Sequence, residues 1–293
     1  MKYKTVIIDS KSEMFPKRLL EIKNPPKALY CLGDLSLLNN GGIAVVGSRK
    51  NSIYGERTAK FIGEKLACCN INVISGLAYG IDAIAHESVI SFGGKATAVL
   101  GMGIERFSPV KNQWLLDEII KKGLVVSEYA NSEKGSKISF PLRNRIISGM
   151  SDGVIIVEAN RHSGALITAN LALEQGKSVF AVPGNIDSEN SRGTNDLIRD
   201  GAIPFLEMSD LENEIGITLE PQIEKSRGFQ NCKLGRDEII IIEILKLVDG
   251  ASIDFLSEKS KMSIEKVNGL ITVLEIKDMV KNFAGRLYLK KNK

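Results

Sequence analysis

The chain has 293 residues, 43% apolar, 25% charged and 6% aromatic, which suits one large α/β domain with an appendage and excludes a single small module or wholesale disorder. Its net charge of +4, from 39 basic and 35 acidic residues, is too small to announce a nucleic-acid partner globally, so the local distribution must carry that argument. The longest uncharged apolar runs, 153–157 and 178–183, fall far short of the roughly 20 residues of a membrane span, and Asp9 interrupts any signal-peptide core, so a cytoplasmic chain with no membrane partner is expected.

Residues 1–40 place Pro16, Pro25 and Pro26 among Leu19, Leu20, Ile22, Leu29 and Tyr30, and read as an ordered N-terminal cap on the main domain. Over 41–206, short β-branched runs alternate with helical patterns. Strands are expected over 43–46, 72–75, 97–100, 124–128, 154–158, 179–182 and 203–206, and helices over 54–67, 81–92, 112–122, 142–150, 165–175 and 194–200. The strands are almost wholly apolar, as in a sheet covered on both faces, so the fold class is α/β with a doubly wound, mostly parallel sheet. Residues 207–224 hold six acids and no base, 225–236 reverse the sign, and 207–236 reads as a linker. Beyond it, helices over 238–247 and 253–260, a third capped by Ser263, and a hairpin turning at Ala284-Gly285 suggest a small winged-helix domain over 237–293.

The cysteines, Cys31, Cys68, Cys69 and Cys232, have neither metal-knuckle spacing nor a disulfide framework and read as buried reduced thiols. His86 and His162, the only two histidines, leave little material for a metal site and read as structural or peripheral. No metal or cofactor is expected.

In an open parallel sheet, ligands sit beyond the carboxyl ends of the strands, where glycine turns and helix N-termini offer amides to anions. This chain is rich in such turns: Gly47-Ser48-Arg49-Lys50, Ser75-Gly76-Leu77-Ala78, Gly101-Met102-Gly103, Ser163-Gly164-Ala165 and Pro183-Gly184-Asn185. Arg49 can fork onto a phosphate, and Lys134, Lys137, Arg143 and Arg145 follow one another with no acid between Glu133 and Asp152. Together these features predict a polyanion-binding edge. Single strands are held by such a basic groove with aromatic surfaces beside the bases, and Phe140, flanked by Lys137 and Arg143, is either that surface or a plug under its loop.

Several enzyme signatures fail on context. Gly149-Met150-Ser151-Asp152-Gly153 fits the nucleophile-elbow spacing but runs from helix to strand, the reverse of an elbow. Gly176-Lys177-Ser178 lacks the preceding glycine of a phosphate-binding loop, and Arg106 stands where a dinucleotide fingerprint needs its third glycine. Asp82 at a helix start reads as a cap, and Glu158 as a partner for a loop arginine.

Taken in order, Val46-Gly47-Ser48-Arg49, Ser75 through Ala83 with His86, Phe140 through Ile147, Ser163 through Ala169, Phe180 through Gly184 and Leu197 through Ala202 resemble the motifs of the DNA-processing protein A family, DprA or Smf. The resemblance implies a Rossmann-like protein that binds single-stranded DNA without catalysis, forms a homodimer, and helps load RecA recombinase in natural transformation, with single-stranded DNA-binding protein as a further candidate partner. By motif matching, Ser48, Arg49, Lys50, Ser75, Gly76, Lys137, Phe140, Arg143, Asn144, Arg145, Ser163 and Gly164 would hold the strand, and Leu197, Ile198 and Ile203 fall where members dimerise. Tyr79 departs from the pattern, standing where arginine is frequent, as does Ser108-Pro109 in place of Tyr-Pro. Two rivals stand beside this reading: a Rossmann-like enzyme that binds nucleotides or hydrolyses nucleoside monophosphates, and a regulator whose winged helix reads duplex DNA.

Overall fold

The computed structural model describes residues 4–219, 235–246, 248, 250–276, 279–283 and 286–289. The chain divides into two compact units, residues 1–224 and 225–293.

In the first unit, β1 (Val6–Asp9), α1 (Lys17–Leu20) and β2 (Ala28–Gly33) lead into β3 (Ile43–Val46), α2 (Ile53–Cys68), β4 (Val73–Ser75), α3 (Ile81–Ser91) and β5 (Ala96–Leu100). Then follow α4 (Gln113–Lys122), β6 (Leu124–Ser127), α5 (Ser139–Met150), β7 (Gly153–Ile156), α6 (Gly164–Glu174), β8 (Ser178–Ala181), α7 (Glu189–Arg199), β9 (Ile203–Pro204) and α8 (Ser209–Ile215). The nine strands form one sheet in the order β1-β2-β6-β5-β4-β3-β7-β8-β9, parallel from β6 through β9 and antiparallel only where β1 and β2 are added. The chain builds outward from β3 to β6 and then returns to lay β7 against the other side of β3, which places the topological switch point between β3 and β7.

Alternation along the strands explains why they are apolar throughout. Ile43, Val45, Ala98, Leu100 and Ile155 pack under α2, α3 and α4, whereas Ala44, Val46, Val99, Val154 and Ile156 pack under α5 and α6. The first 40 residues differ from the cap expected of them. β2 pairs with β6 in the register Tyr30 to Ser127, and Phe15, Leu19, Ile22 and Leu29 are buried in the second layer, so the segment is an integral edge of the sheet. The expected linker also begins later than residue 207, since α8 buries Leu211 in the first layer.

The second unit contains α9 (Arg236–Lys246), α10 (Ile253–Ser260), α11 (Ile264–Ile276) and the antiparallel pair β10 (Val280–Phe283) and β11 (Arg286–Leu289), around Ile241, Leu245, Leu256, Val267, Leu274 and Leu287. The expected turn at Ala284-Gly285, much of the expected linker and Cys232 lie outside the described residues. Among the described thiols Cys31 is buried, but Cys68 is exposed, contrary to expectation, because it falls in the last turn of α2 on the solvent face. Among the described residues no helix is long and apolar enough to cross a membrane.

Candidate nucleic-acid interface

The crevice above the switch point is built from loops stitched across the sheet. The turn after β3 is tied to the loop after β7: the Ser48 amide donates to the Glu158 carbonyl at 2.7 Å, and the Ser52 amide to Glu158 Oε2 at 2.9 Å. Ser52 then caps α2 by accepting from the Gly55 amide at 3.1 Å. Glu158, 1% exposed, is therefore the anchor of this loop and partners a serine, not the arginine expected from the sequence.

The turn after β4 sits hard against the first. Gly80 has φ +77, and a Cβ there would fall 2.2 Å from the Ser48 carbonyl oxygen, so only glycine allows the approach. Leu77 holds the left-handed φ of +52 without being glycine. Its turn is clamped on both sides, by Asp82 Oδ2 accepting from the Gly76 amide at 3.2 Å and by Asn112 Nδ2 donating to the Leu77 and Ala78 carbonyls at 3.1 and 3.3 Å.

Beneath both turns lies α5. Arg143, 4% exposed, donates from Nη1 to the Gly76 carbonyl at 2.8 Å and to the Val99 carbonyl, and from Nε to Asn144 Oδ1 at 3.2 Å. Burial lowers its guanidinium to about 10 while the Asp82 carboxylate opposes the shift, so it remains a cation at neutral pH. Burial also raises the Asp82 carboxyl, against the pull of Arg143 and of the Gly76 and Ala78 amides. Asn144 continues the chain of contacts, Nδ2 reaching the Gly164 carbonyl at the start of α6 at 3.3 Å.

These elements enclose a cleft of about 440 Å³ lined by Ser48, Arg49, Lys50, Phe140, Arg143, Asn144, Ser163 and Gly164. A smaller cavity of about 130 Å³, lined by Gly76, Tyr79, Gly101, Ser108 and Pro109, shares Arg49, Phe140 and Arg143 with it. The Arg49 guanidinium carbon stands 5.8 Å from the Phe140 ring centroid, within cation–π range. Arg49 and Lys50 are exposed, so two exposed cations and one buried cation converge with the N-terminus of α6 on one concave surface. A third cavity of about 320 Å³, at the amino ends of the strands, is lined by Asp34 and Asp152 as well as Lys95, a mixed set poorly suited to a polyanion.

Eight of the twelve predicted contact residues thus meet in one cleft and Gly76 in its neighbour. The others are placed differently. Ser75 is buried and its hydroxyl donates to the Val45 carbonyl at 2.7 Å. Arg145 turns away to an ion pair with Glu128. Lys137 is exposed in the loop before α5, outside the cleft lining. The Gly76 amide is held by Asp82, and the Ser163 hydroxyl accepts from the Ala165 amide at 3.3 Å as the cap of α6. Phe140 is half-buried, between the two earlier readings. Of the expected dimer residues, Leu197 and Ile203 pack partly onto the core and Ile198 is half-buried, with β9 the open edge of the sheet.

Asn160, Thr168 and Asn190 also line the cleft and were not singled out in the sequence, and His162, expected to be structural or peripheral, lines it too. Thr168 lies one helical turn after Gly164 and was findable by that spacing. Asn190, whose Nδ2 donates to the Lys50 carbonyl at 2.9 Å, arrives through the tertiary return of α7 and carries no local signal.

A sequence model of the family described as DNA recombination-mediator protein A matches residues 6–216. Protein Smf of Escherichia coli is 43% identical over 209 residues, covering 71% of this chain and 56% of that protein, so the match spans little more than half the relative's length. DNA processing protein DprA of Bacillus subtilis is 38% identical over 205 residues, 70% of this chain and 69% of its own. Among solved structures, DprA of Streptococcus pneumoniae superposes with a TM-score of 0.69 at 40% identity, covering 72% of this chain and 75% of that one. DNA processing protein A of Helicobacter pylori, described for its single-stranded DNA binding mode, superposes with a TM-score of 0.65 at 31% identity, covering 73% and 95%.

Proposed function

The chain belongs to the DNA recombination-mediator protein A family, and from that membership we propose that its switch-point cleft grips single-stranded DNA by the phosphates and cuts no bond. The observation that carries this reading is the convergence of Arg49, Lys50 and Arg143 with the start of α6 on one surface. A chain of phosphates needs several positive groups along one groove and tolerates any base sequence, and this groove offers them. Asp82, the carboxylate in its lining, holds the Gly76 amide, and Glu158, buried outside the lining, holds Ser52, which argues against either as the acid or base of a nucleotide hydrolase.

In this reading the protein is a recombination mediator that protects incoming strands in natural transformation and hands them to RecA recombinase in the cytoplasm. It acts as a homodimer across α7 and β9, where Leu206 is 72% exposed beside the sheet's open edge. Single-stranded DNA-binding protein is the further partner. The second unit serves protein contacts more readily than duplex reading, because Lys266 on α11 is paired with Asp237 at 2.7 Å.

The test compares single- and double-stranded oligonucleotides in filter binding at about 50 and about 200 mM salt. Arg49→Ala is expected to weaken single-strand binding equally across unrelated sequences and to reduce the salt slope by about one. Unchanged affinity and slope would overturn the site.

A further inference from the structure

Of the chain's two histidines, His86 is buried in α3, whereas His162 is exposed and lines the cleft. The loop that carries it is held by a short frame of hydrogen bonds. The His162 amide donates to Asn160 Oδ1 at 2.9 Å and the Ser163 amide to the Asn160 carbonyl at 3.0 Å, which sets His162 immediately before the cap of α6. One residue further back, the Ala159 amide donates to the Asn190 carbonyl at 2.8 Å, and the Asn190 side chain donates to the Lys50 carbonyl at 2.9 Å. Asn190 thus rivets the histidine loop to the turn that presents Arg49 and Lys50, and His162, Asn190, Arg49 and Lys50 line the same cleft. The cation Arg143 shares that lining, as does Asp82, which is buried and bonded to the Gly76 amide. The charged groups flanking the loop are paired elsewhere: Arg161 with Asp196 at 2.7 Å, Glu189 beside Asn190 with Arg192 at 3.2 Å, and the buried Glu158 with Ser52. Asp187, exposed ahead of α7, lies outside the lining.

We propose that His162 is a proton-gated contact to the phosphates of the strand: its charged ring adds a third exposed cation beside Arg49 and Lys50, and its neutral ring does not. Imidazole is the side chain that ordinarily changes charge between about pH 5 and 8, and only its protonated ring donates from both nitrogens. The contact rests on the reading of the cleft as a single-strand site and adds that the strand binds together with a proton, because a phosphate within reach favours the charged ring. The grip therefore tightens as pH falls below neutrality and loosens above it.

The experiment measures binding of the full chain to an oligothymidylate without a terminal phosphate, so that the DNA itself does not titrate, at about pH 6 and about pH 8. Wild type is expected to bind roughly two- to five-fold more tightly at the lower pH, the range of one exposed ion pair, with a salt slope steeper by about one. His162→Gln is expected to bind equally at both pH values, at the weaker level, and His162→Arg equally at both, at the tighter level. Arg49→Ala is expected to weaken binding at both while keeping the ratio between them. A wild-type affinity that does not change with pH, or a His162→Gln protein that keeps the wild-type ratio, overturns the contact and leaves the cleft standing; the second result moves the titration to Asp82 or another group. An Arg49→Ala protein that binds as tightly as wild type at both pH values removes the cleft reading, and the contact with it.

Discussion

Glu158 Oε2 accepts the main-chain amide of Ser52 at 2.9 Å, and its other oxygen takes the Ser52 hydroxyl, so one buried carboxylate fixes the loop that presents Arg49 and Lys50. Glu158→Ala leaves the half-buried Ser52 amide unpaired and opens a cavity at a buried position, and it is expected to destabilise the protein by about 2–4 kcal/mol in urea unfolding. Gly55→Ala attacks the same joint from the other side, since the new Cβ would fall 2.3 Å from Oε2. A catalytic carboxylate behaves oppositely, its removal leaving stability intact or raised. Equal midpoints for wild type and Glu158→Ala would therefore return the residue to the list of catalytic candidates.

The Arg49 and Phe140 side chains are expected to act as one unit on DNA. With the guanidinium carbon 5.8 Å from the ring centroid, the ring orients the cation and lends it a flat face for a base. Arg49→Ala and Phe140→Ala should be non-additive in binding free energy, with a coupling of about 0.5–1 kcal/mol from a double-mutant cycle of oligonucleotide affinities. Strict additivity would mean that the two meet the strand independently.

Gly76 is limited by a side chain and not by its own backbone angles. A Cβ at this position would lie 2.5 Å from Arg143 Nη2, against a guanidinium already hydrogen-bonded to the Gly76 and Val99 carbonyls. Gly76→Ala is expected to push Arg143 off the cleft floor, costing about 1–3 kcal/mol of stability and weakening single-strand binding. A crystal structure of the variant with Arg143 unmoved, or unaltered affinity, would remove Arg143 from the site.

The contrast between Arg143 and Arg145 shows what was legible in the sequence and what was not. Both stood in one basic run, yet both belong to α5, where two residues correspond to about 200° of rotation and hence to opposite faces. Arg143 enters the floor of the cleft and Arg145 pairs with Glu128, a division that helical phase alone could have made. The parallel strands were legible because both their faces are covered, giving unbroken apolar runs. β1 and β2 were not, because they join antiparallel at the edge with Val6 and Ile7 exposed, between segments whose prolines point to loops. Glu158 was misassigned for another reason: a carboxylate accepting from a serine 106 residues away leaves no mark in local spacing.

His86, fully buried on α3, gives the fold a pH dependence of known sign. Burial lowers its imidazole from the ordinary value to about 3, so the folded protein keeps it neutral where the unfolded chain takes up a proton. Between the unfolded value near 6.5 and the folded one, the unfolded state binds more protons, and this residue's contribution to stability falls as pH falls, by about 1.4 kcal/mol per unit. His86→Gln cannot titrate. It is expected to be less stable than wild type at neutral pH, because the packing around a buried ring is lost, while the gap narrows from about pH 6.5 to pH 5. The comparison is made by urea unfolding at several pH values, and the difference between the two proteins cancels the carboxylates common to both, Asp82 included. Parallel stability curves over that range would show that His86 is protonated, or reached by water, in the folded state.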